Sequence, residues 1–356
     1  LKELAAQKLS EHRLLFQEIF TYGTPRRLVL FVRELAAVQQ PVLKEVKGPA
    51  AKVAFDEQKR PTRAALGFAK SQGVAVEELV VRPVGAVEYV FAVSKEEGRP
   101  APEVLTEICP AFLTELHFPK FMRWGEGELR FARPIRWLLA LYGGQVIPVT
   151  VAGITAGRQT YGHRFLSGAR LTVADPADYF QKLRDNFVLV DPARRRAAIA
   201  KQIDALAAKE GGKVARDEGL LEEVVNLVEY PVALTGRFDE NFLNLPPEVL
   251  ITSMREHQRY FPVFGPDGRL LPLFIAVSNT TDSAVIRRGC ERVLRARLAD
   301  AAFFWEEDLK TPLAQRVEAL QKIVWQENLG TLADKVARLL SLSSYLAGVL
   351  GADEAQ

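Results

Sequence analysis

Cysteine, methionine and histidine are scarce: two, two and four residues among 356. Cys109 and Cys290 are too few for a disulfide framework or a cysteine-built zinc site, and two thiols suit a reducing cytoplasm. His12, His117, His163 and His257 are scattered, without HExxH or related metal spacing. No apolar run reaches the roughly 18–20 residues that cross a bilayer. The longest, LLPLFIAV at 270–277, reads as a buried strand. The opening LKELAAQKLSEHRLLFQEIF is amphipathic and charged, unlike a signal peptide. A GxxxxGK[ST] loop, a GxGxxG turn and a paired acidic metal motif are all missing, so no local ATP site is evident. Net charge is only +3, and any grip on a polyanion must come from local patches.

What is present fits a globular chain of two or three domains, with 48% hydrophobic and 26% charged residues. The sequence starts at Leu1 inside one helical pattern and stops just after another, KVARLLSLSSYLAGVLG, so it reads as a piece of something longer. Residues 1–20 are expected as a helix. RRLVLFVREL is a β-type run with Leu28, Leu30 and Val32 on one face and Val29, Phe31 and Arg33 on the other. A strand and loop follow over 40–60, and TRAALGFAKSQG is a helix stopped by Gly73. VEELVVRPVGAVEYVFAVSKEEG is a hairpin turning near Gly85. APEVLTEICPAFLTEL is helical, ELRF reads as a strand, and Pro134 starts a helix carrying Ile135, Leu138, Leu139 and Tyr142 on one stripe. Short β runs occupy 144–175, and two helices open at Asp-Pro pairs near 175 and 191. EVVNLVEYPVALTGRF suggests two strands. LPPEVLITSMREHQRYFPVFGPDGRLLPLFIAVSN holds a helix and a hairpin turning at GPDG. From about Val285 the pattern is helical. The fold class is therefore α+β to about residue 285, then all-α.

Four basic constellations stand out. FPKFMRWGEGELRFARPIRW, at 118–137, interleaves Arg123, Arg130, Arg133 and Arg136 with aromatic rings, which suits either a core with a basic rim or a surface that grips a polyanion. TYGHRFL offers His163 and Arg164 beside Gly162, for a phosphate, a carboxylate or simply a turn. MREHQRYF sets Arg255 and Arg259 one helical turn apart; acid–base work by His257 would need a partner, and without a cysteine or Ser-His-Asp pattern catalysis by this segment alone is not expected. IRRGCERVLRARLADAAFFWEEDL puts Arg288, Arg292 and Arg295 on one face, opposite Leu294, Leu298, Ala301, Ala302, Trp305 and Leu309. A Glu291–Arg295 pair is the bland reading of that face. The near-absence of acids over 287–299 favours phosphate contact instead. Some arginines must pair with internal carboxylates such as Glu229, Glu306 and Glu307.

Taken in order, MRWGEGELRFARPIRWLLALYGGQVI, YGHRFL, LPPEVLITSMREHQRYFPVF, LPLFIAVSN and RVLRARLADAAFFWEEDLKTPLAQRVEAL resemble the β subunit of the bacterial two-subunit glycyl-tRNA synthetase, from about Tyr22 to the end. The resemblance implies a division into an N-terminal α+β part (1–60), a B3/B4-like α+β region (61–285) and a helical segment beginning an HD-like domain (286–356). It implies a chain without the family's first strand or its C-terminal anticodon-binding domain. It further implies that the partner α subunit holds ATP, Mg and the glycine site, with no cofactor on this chain. An assembly of two α and two β subunits acting on tRNA-Gly in the cytoplasm would follow. Cys290 departs from the family's expected polar residue. On this reading Arg123, Arg130, Arg133, Arg136, His163, Arg164, Arg255, Arg259, Arg288, Arg292 and Arg295 include tRNA contacts, and none is catalytic. Two rival readings stay open: an editing or metal-dependent phosphoester hydrolase on the B3/B4-like or HD-like part, and a scaffold bridging subunits.

Overall fold

The computed structural model describes residues 1–124 and 127–352. Gly125 and Glu126, inside the basic-aromatic stretch, and the last four residues of the expected helical segment lie outside the described residues. Helices and strands are mixed, as expected of an α+β chain. Packing divides it into two units: Leu1–Ala197 with Val225–Tyr230, and Ala198–Val224 with the chain from Pro231 onward.

In the first unit, the helix expected over 1–20 ends at Glu11. Arg13 takes a left-handed φ of 55° and breaks it. A strand, Glu18–Thr24, follows and pairs antiparallel with Arg27–Arg33, placing Phe20 opposite Phe31 and Thr24 opposite Arg27. The period has switched from 3.6 to 2. Ile19, Leu30 and Val32 point into a core with Leu9, Val104, Ile108 and Ile147. Phe20, Tyr22, Val29 and Phe31 alternate to the other face. A three-stranded sheet places Val87–Glu96 between Val42–Ala50 and Val80–Val84. Gly85 at φ 65° turns its hairpin, and Gly73 at φ 70° ends the helix Arg63–Gln72, as the sequence indicated.

Neither the strand at ELRF nor the helix from Pro134 forms. Met122 and Phe131 exchange backbone hydrogen bonds in an isolated bridge. The backbone of 138–140 instead bonds to Gly157: Gly157 N–H donates to Leu138 O and Ala140 N–H to Gly157 O. Leu138, Ala140 and Tyr142, two apart, are the side chains that reach the core. The same residues satisfy both periods over so short a run, and pairing to Gly157 selects the extended one.

The second unit carries an antiparallel sheet ordered Lys213–Val214, Phe261–Phe264, Leu270–Ser278, Val232–Arg237. The first of the two strands expected over 223–238 is instead the end of a helix, Glu218–Val225. Asp217 accepts the Leu220 N–H at its start, and Leu220, Leu221, Val224 and Val225 are buried at helical spacing. The long helix Ser283–Leu309, opened by Asp282, lays Leu294 and Leu298 into a core with Leu234, Phe274 and Tyr260. The stretch after it is helical except for a small strand pair, Val324–Gln326 with Gly330–Thr331. No described helix is long and apolar enough to cross a membrane.

Gly236 faces Phe274 across the sheet, and the buried Phe274 ring stacks 4.6 Å from Tyr260. A Cβ at Gly236 would lie 2.2 Å from that ring. Gly236→Ala is therefore expected to cost about 1–3 kcal/mol through overpacking, read from urea denaturation, while Gly67→Ala, with open space at its Cβ, leaves the midpoint unchanged or raised.

Candidate nucleic-acid interface

Arg288, Arg292 and Arg295 lie exposed along the helix Ser283–Leu309, and none has an ion pair among the described residues. Arg287 and Arg297, which the spacing argument passed over, are also exposed. The Glu291–Arg295 pair does not form; Glu291 accepts the backbone N–H of Arg237 at 3.0 Å. Leu294 and Leu298 anchor the opposite side. The result is a row of exposed guanidiniums without an ion-paired carboxylate among the described residues.

Arg255 and Arg259 differ. Arg255 forms ion pairs with Asp217 and Glu256, and Arg259 Nε lies 2.7 Å from Glu223. Arg255 sits in a π-helical turn, Ser253–Gln258, and Arg259 closes it in the left-handed region at φ 59°. The Arg255 hydrogen bond, assisted by the Leu220 N–H, holds the Asp217 carboxyl below its ordinary value. That contribution is present above the ordinary carboxylate range and is lost as pH falls through the depressed value.

In the 118–137 stretch the rings pack against other rings, within the stretch and beyond it. Phe118 and Phe131 meet edge-on at 4.9 Å, Trp124 lies 6.5 Å from Phe131, and Trp137 meets Tyr161 at 5.1 Å. Arg123, Arg130 and Arg136 are exposed, and Arg133 donates to Pro25 O at 2.9 Å. The guanidiniums near Trp137 are those of Arg26 and Arg27, at 5.8 and 5.7 Å.

His163 is buried, and its Nδ1 accepts the N–H groups of Phe165 and Leu166 at 3.3 Å, which places the ring proton on Nε2. Its position holds a turn. Arg164 projects outward against exposed Phe165.

Sequence reasoning missed a buried polar network in the first unit. Glu229 is fully buried and pairs with buried Arg27, with Arg26 at 3.6 Å, and with Thr24 Oγ1 at 2.7 Å. Arg27 also donates to Tyr161 O and Gly162 O. Arg195, likewise buried, donates to the carbonyls of Gly23, Leu189, Val190 and Val225 at 2.6–2.9 Å. Glu229 was legible as an internal carboxylate, a lone acid inside NLVEYPVAL, but its partners lie more than 200 residues earlier. Among the described residues no three His, Cys, Asp or Glu side chains converge as metal donors. Burial pushes the Cys109 thiol up to about 12, which leaves it protonated at neutral pH.

The profile of the glycyl-tRNA synthetase beta subunit family matches residues 1–356. Glycine–tRNA ligase beta subunits from Desulforamulus reducens and Desulforudis audaxviator are 56% and 55% identical over the whole chain, and that from Moorella thermoacetica is 56% identical over 98% of it. The chain spans about half the length of these relatives, 50–52%.

Removing the Glu229 charge strands Arg27. Glu229→Gln is expected to cost about 3–5 kcal/mol in urea denaturation, and pairing Glu229→Leu with Arg27→Met recovers most of it. Acidification should weaken wild type more than Asp217→Asn, as read from melting temperatures at pH 7 and pH 3.

Proposed function

The chain belongs to the glycyl-tRNA synthetase beta subunit family, and from that membership we propose that it binds and positions tRNA-Gly for a glycine–tRNA ligase whose adenylating centre lies on a separate α subunit. In this reading glycine is activated with ATP and Mg on the α subunit and passed to the terminal ribose of the tRNA. The beta chain supplies grip and no cofactor. Residues 61–285 correspond to a B3/B4-like region and the helices from 286 to the start of an HD-like one, in a cytoplasmic assembly of two α and two β subunits.

The observation that carries the reading is the unquenched row Arg288, Arg292 and Arg295. Exposed guanidiniums are permanently charged forks that match phosphate oxygens, and a carboxylate-poor helix face leaves them available. Arg123, Arg130, Arg136 and Arg164 meet the same condition in the first unit, with Arg133 bound on one side to Pro25 O. Arg255 and Arg259 are held by carboxylates and must exchange those partners to meet a phosphate. Their contribution to binding is accordingly smaller.

Replacing Arg288, Arg292 and Arg295 together by Gln is expected to weaken tRNA-Gly binding and to lower the slope of log affinity against log salt by about 2–3, since each released phosphate contact accounts for roughly 0.7–0.9. A slope and affinity identical to wild type in fluorescence anisotropy would refute phosphate contact by this helix and favour a bridging scaffold.

A further inference from the structure

The hairpin face that carries Arg27 continues outward into an open cleft. Phe20, Tyr22 and Phe31 share that face, and Phe180 from the helix Tyr179–Asp185 closes over them. Phe180 meets Tyr22 and Phe31 edge-on at 5.2 and 5.5 Å, and Phe20 lies parallel to Tyr22 at 6.3 Å. All four rings are only half-buried, around a hollow of about 290 Å³. That volume is at the lower end of small-ligand sites.

Three guanidiniums rim the hollow. Arg33 lies 5.1 Å over Phe20, and its one ion pair among the described residues is with a half-exposed Glu18 at 3.3 Å. Arg194 is 3.7 Å from Asp191, and Arg184 has no ion pair among the described residues. Surface pairs of this kind are weak and exchange readily for a phosphate. The cleft's wall is fixed from behind, because Arg195 binds the carbonyls of Gly23, Leu189 and Val190. Aromatic faces flanked by exposed guanidiniums match an unstacked base with its phosphate, whereas a base stacked inside a duplex offers no free face.

We propose that this cleft binds one unpaired nucleotide of an RNA strand, with its base against the rings of Phe20, Tyr22, Phe31 and Phe180 and its phosphate at Arg33, Arg184 or Arg194. The inference rests on the reading that the chain grips RNA and adds to it a place where a single strand is distinguished from a duplex.

The test uses the 356-residue chain, a fluorescein-labelled single-stranded RNA hexamer and a blunt RNA duplex, compared by anisotropy at low salt. Phe31→Leu with Phe180→Leu keeps both positions apolar but removes two ring faces. It is expected to weaken the hexamer about tenfold, within the span of one lost stacking contact, and the duplex less than twofold. A hexamer carrying 5-iodouridine should cross-link on irradiation to one of the four rings, identified by mass spectrometry. If the double variant fails to fold, Arg33→Gln with Arg184→Gln on exposed positions serves instead, with the same expected selectivity.

Equal losses on both probes, no loss on either, or cross-links only outside the cleft would overturn the proposal. If the duplex still binds and responds to the Arg288, Arg292 and Arg295 substitutions, the cleft alone has failed. If neither RNA binds, the wider reading fails with it.

Discussion

A buried carboxylate sets the terms for the first unit. Glu229 lies out of water, and a bare charge there is far too costly to tolerate. Its partners Arg27, Arg26 and Thr24 come from the hairpin formed by Glu18–Thr24 and Arg27–Arg33. A buried pair like this contributes little net stability compared with a well-packed apolar replacement. What it imposes is arrangement: the segment Val225–Tyr230 must reach one end of one hairpin, because every other placement strands a charge. Arg195 repeats the constraint with neutral acceptors, drawing Gly23, Leu189, Val190 and Val225 around one guanidinium.

The same electrostatic bookkeeping sorts the arginines of this chain into three kinds. Arg27 and Arg195 are buried and bound to backbone carbonyls, Arg27 also to Glu229, so they organise backbone. Arg255 and Arg259 are half-buried and bound to acids, and binding a phosphate there means giving up an existing partner. Arg288, Arg292 and Arg295 are exposed without acids, and for them a phosphate replaces only water and counterions. Burial and partners, not arginine content, decide which are available. A net charge of +3 conceals this difference.

Much of the fold was legible where a local signal decides the outcome. Gly73 and Gly85 take the left-handed conformations their positions require, Asp175 and Asp191 accept backbone N–H groups two residues on, and the GPDG turn closes on Gly268 at φ 79°. The alternation of Leu28, Leu30 and Val32 against Val29, Phe31 and Arg33 holds along the whole hairpin. Failures occur where a short apolar run fits two periods. Residues 18–20, expected at the end of the first helix, and 134–142 read as helical, yet the next strand of the hairpin, Arg27–Arg33, claims the backbone of the first and Gly157 that of the second. In 223–228 the β-branched residues suggested a strand, and an Asp217 cap with four apolar side chains at helical spacing prevailed. The candidate site divides likewise. The exposure of Arg288, Arg292 and Arg295 and the burial of Leu294 and Leu298 follow from spacing, whereas Trp305 and Leu309, placed on the apolar side by the same spacing, are exposed. The burial of His163 and the network around Glu229 depend on contacts that no local window contains.

That network and the aromatic cleft are two ends of one alternation. Thr24 and Arg27 stand opposite each other at the closed end of the hairpin, Phe20 and Phe31 further along, Glu18 and Arg33 at the open end, and all six share a face. Because side chains in a strand alternate with period 2, the register that delivers Arg27 to Glu229 also delivers the rings and Arg33 to the cleft. A one-residue slip would turn the entire set toward the apolar core formed around Ile19 and Val32. The buried ion pair therefore fixes more than itself. It locks the register on which the surface chemistry of the same face depends, so a costly interior charge holds an exposed cleft in shape without touching whatever occupies it.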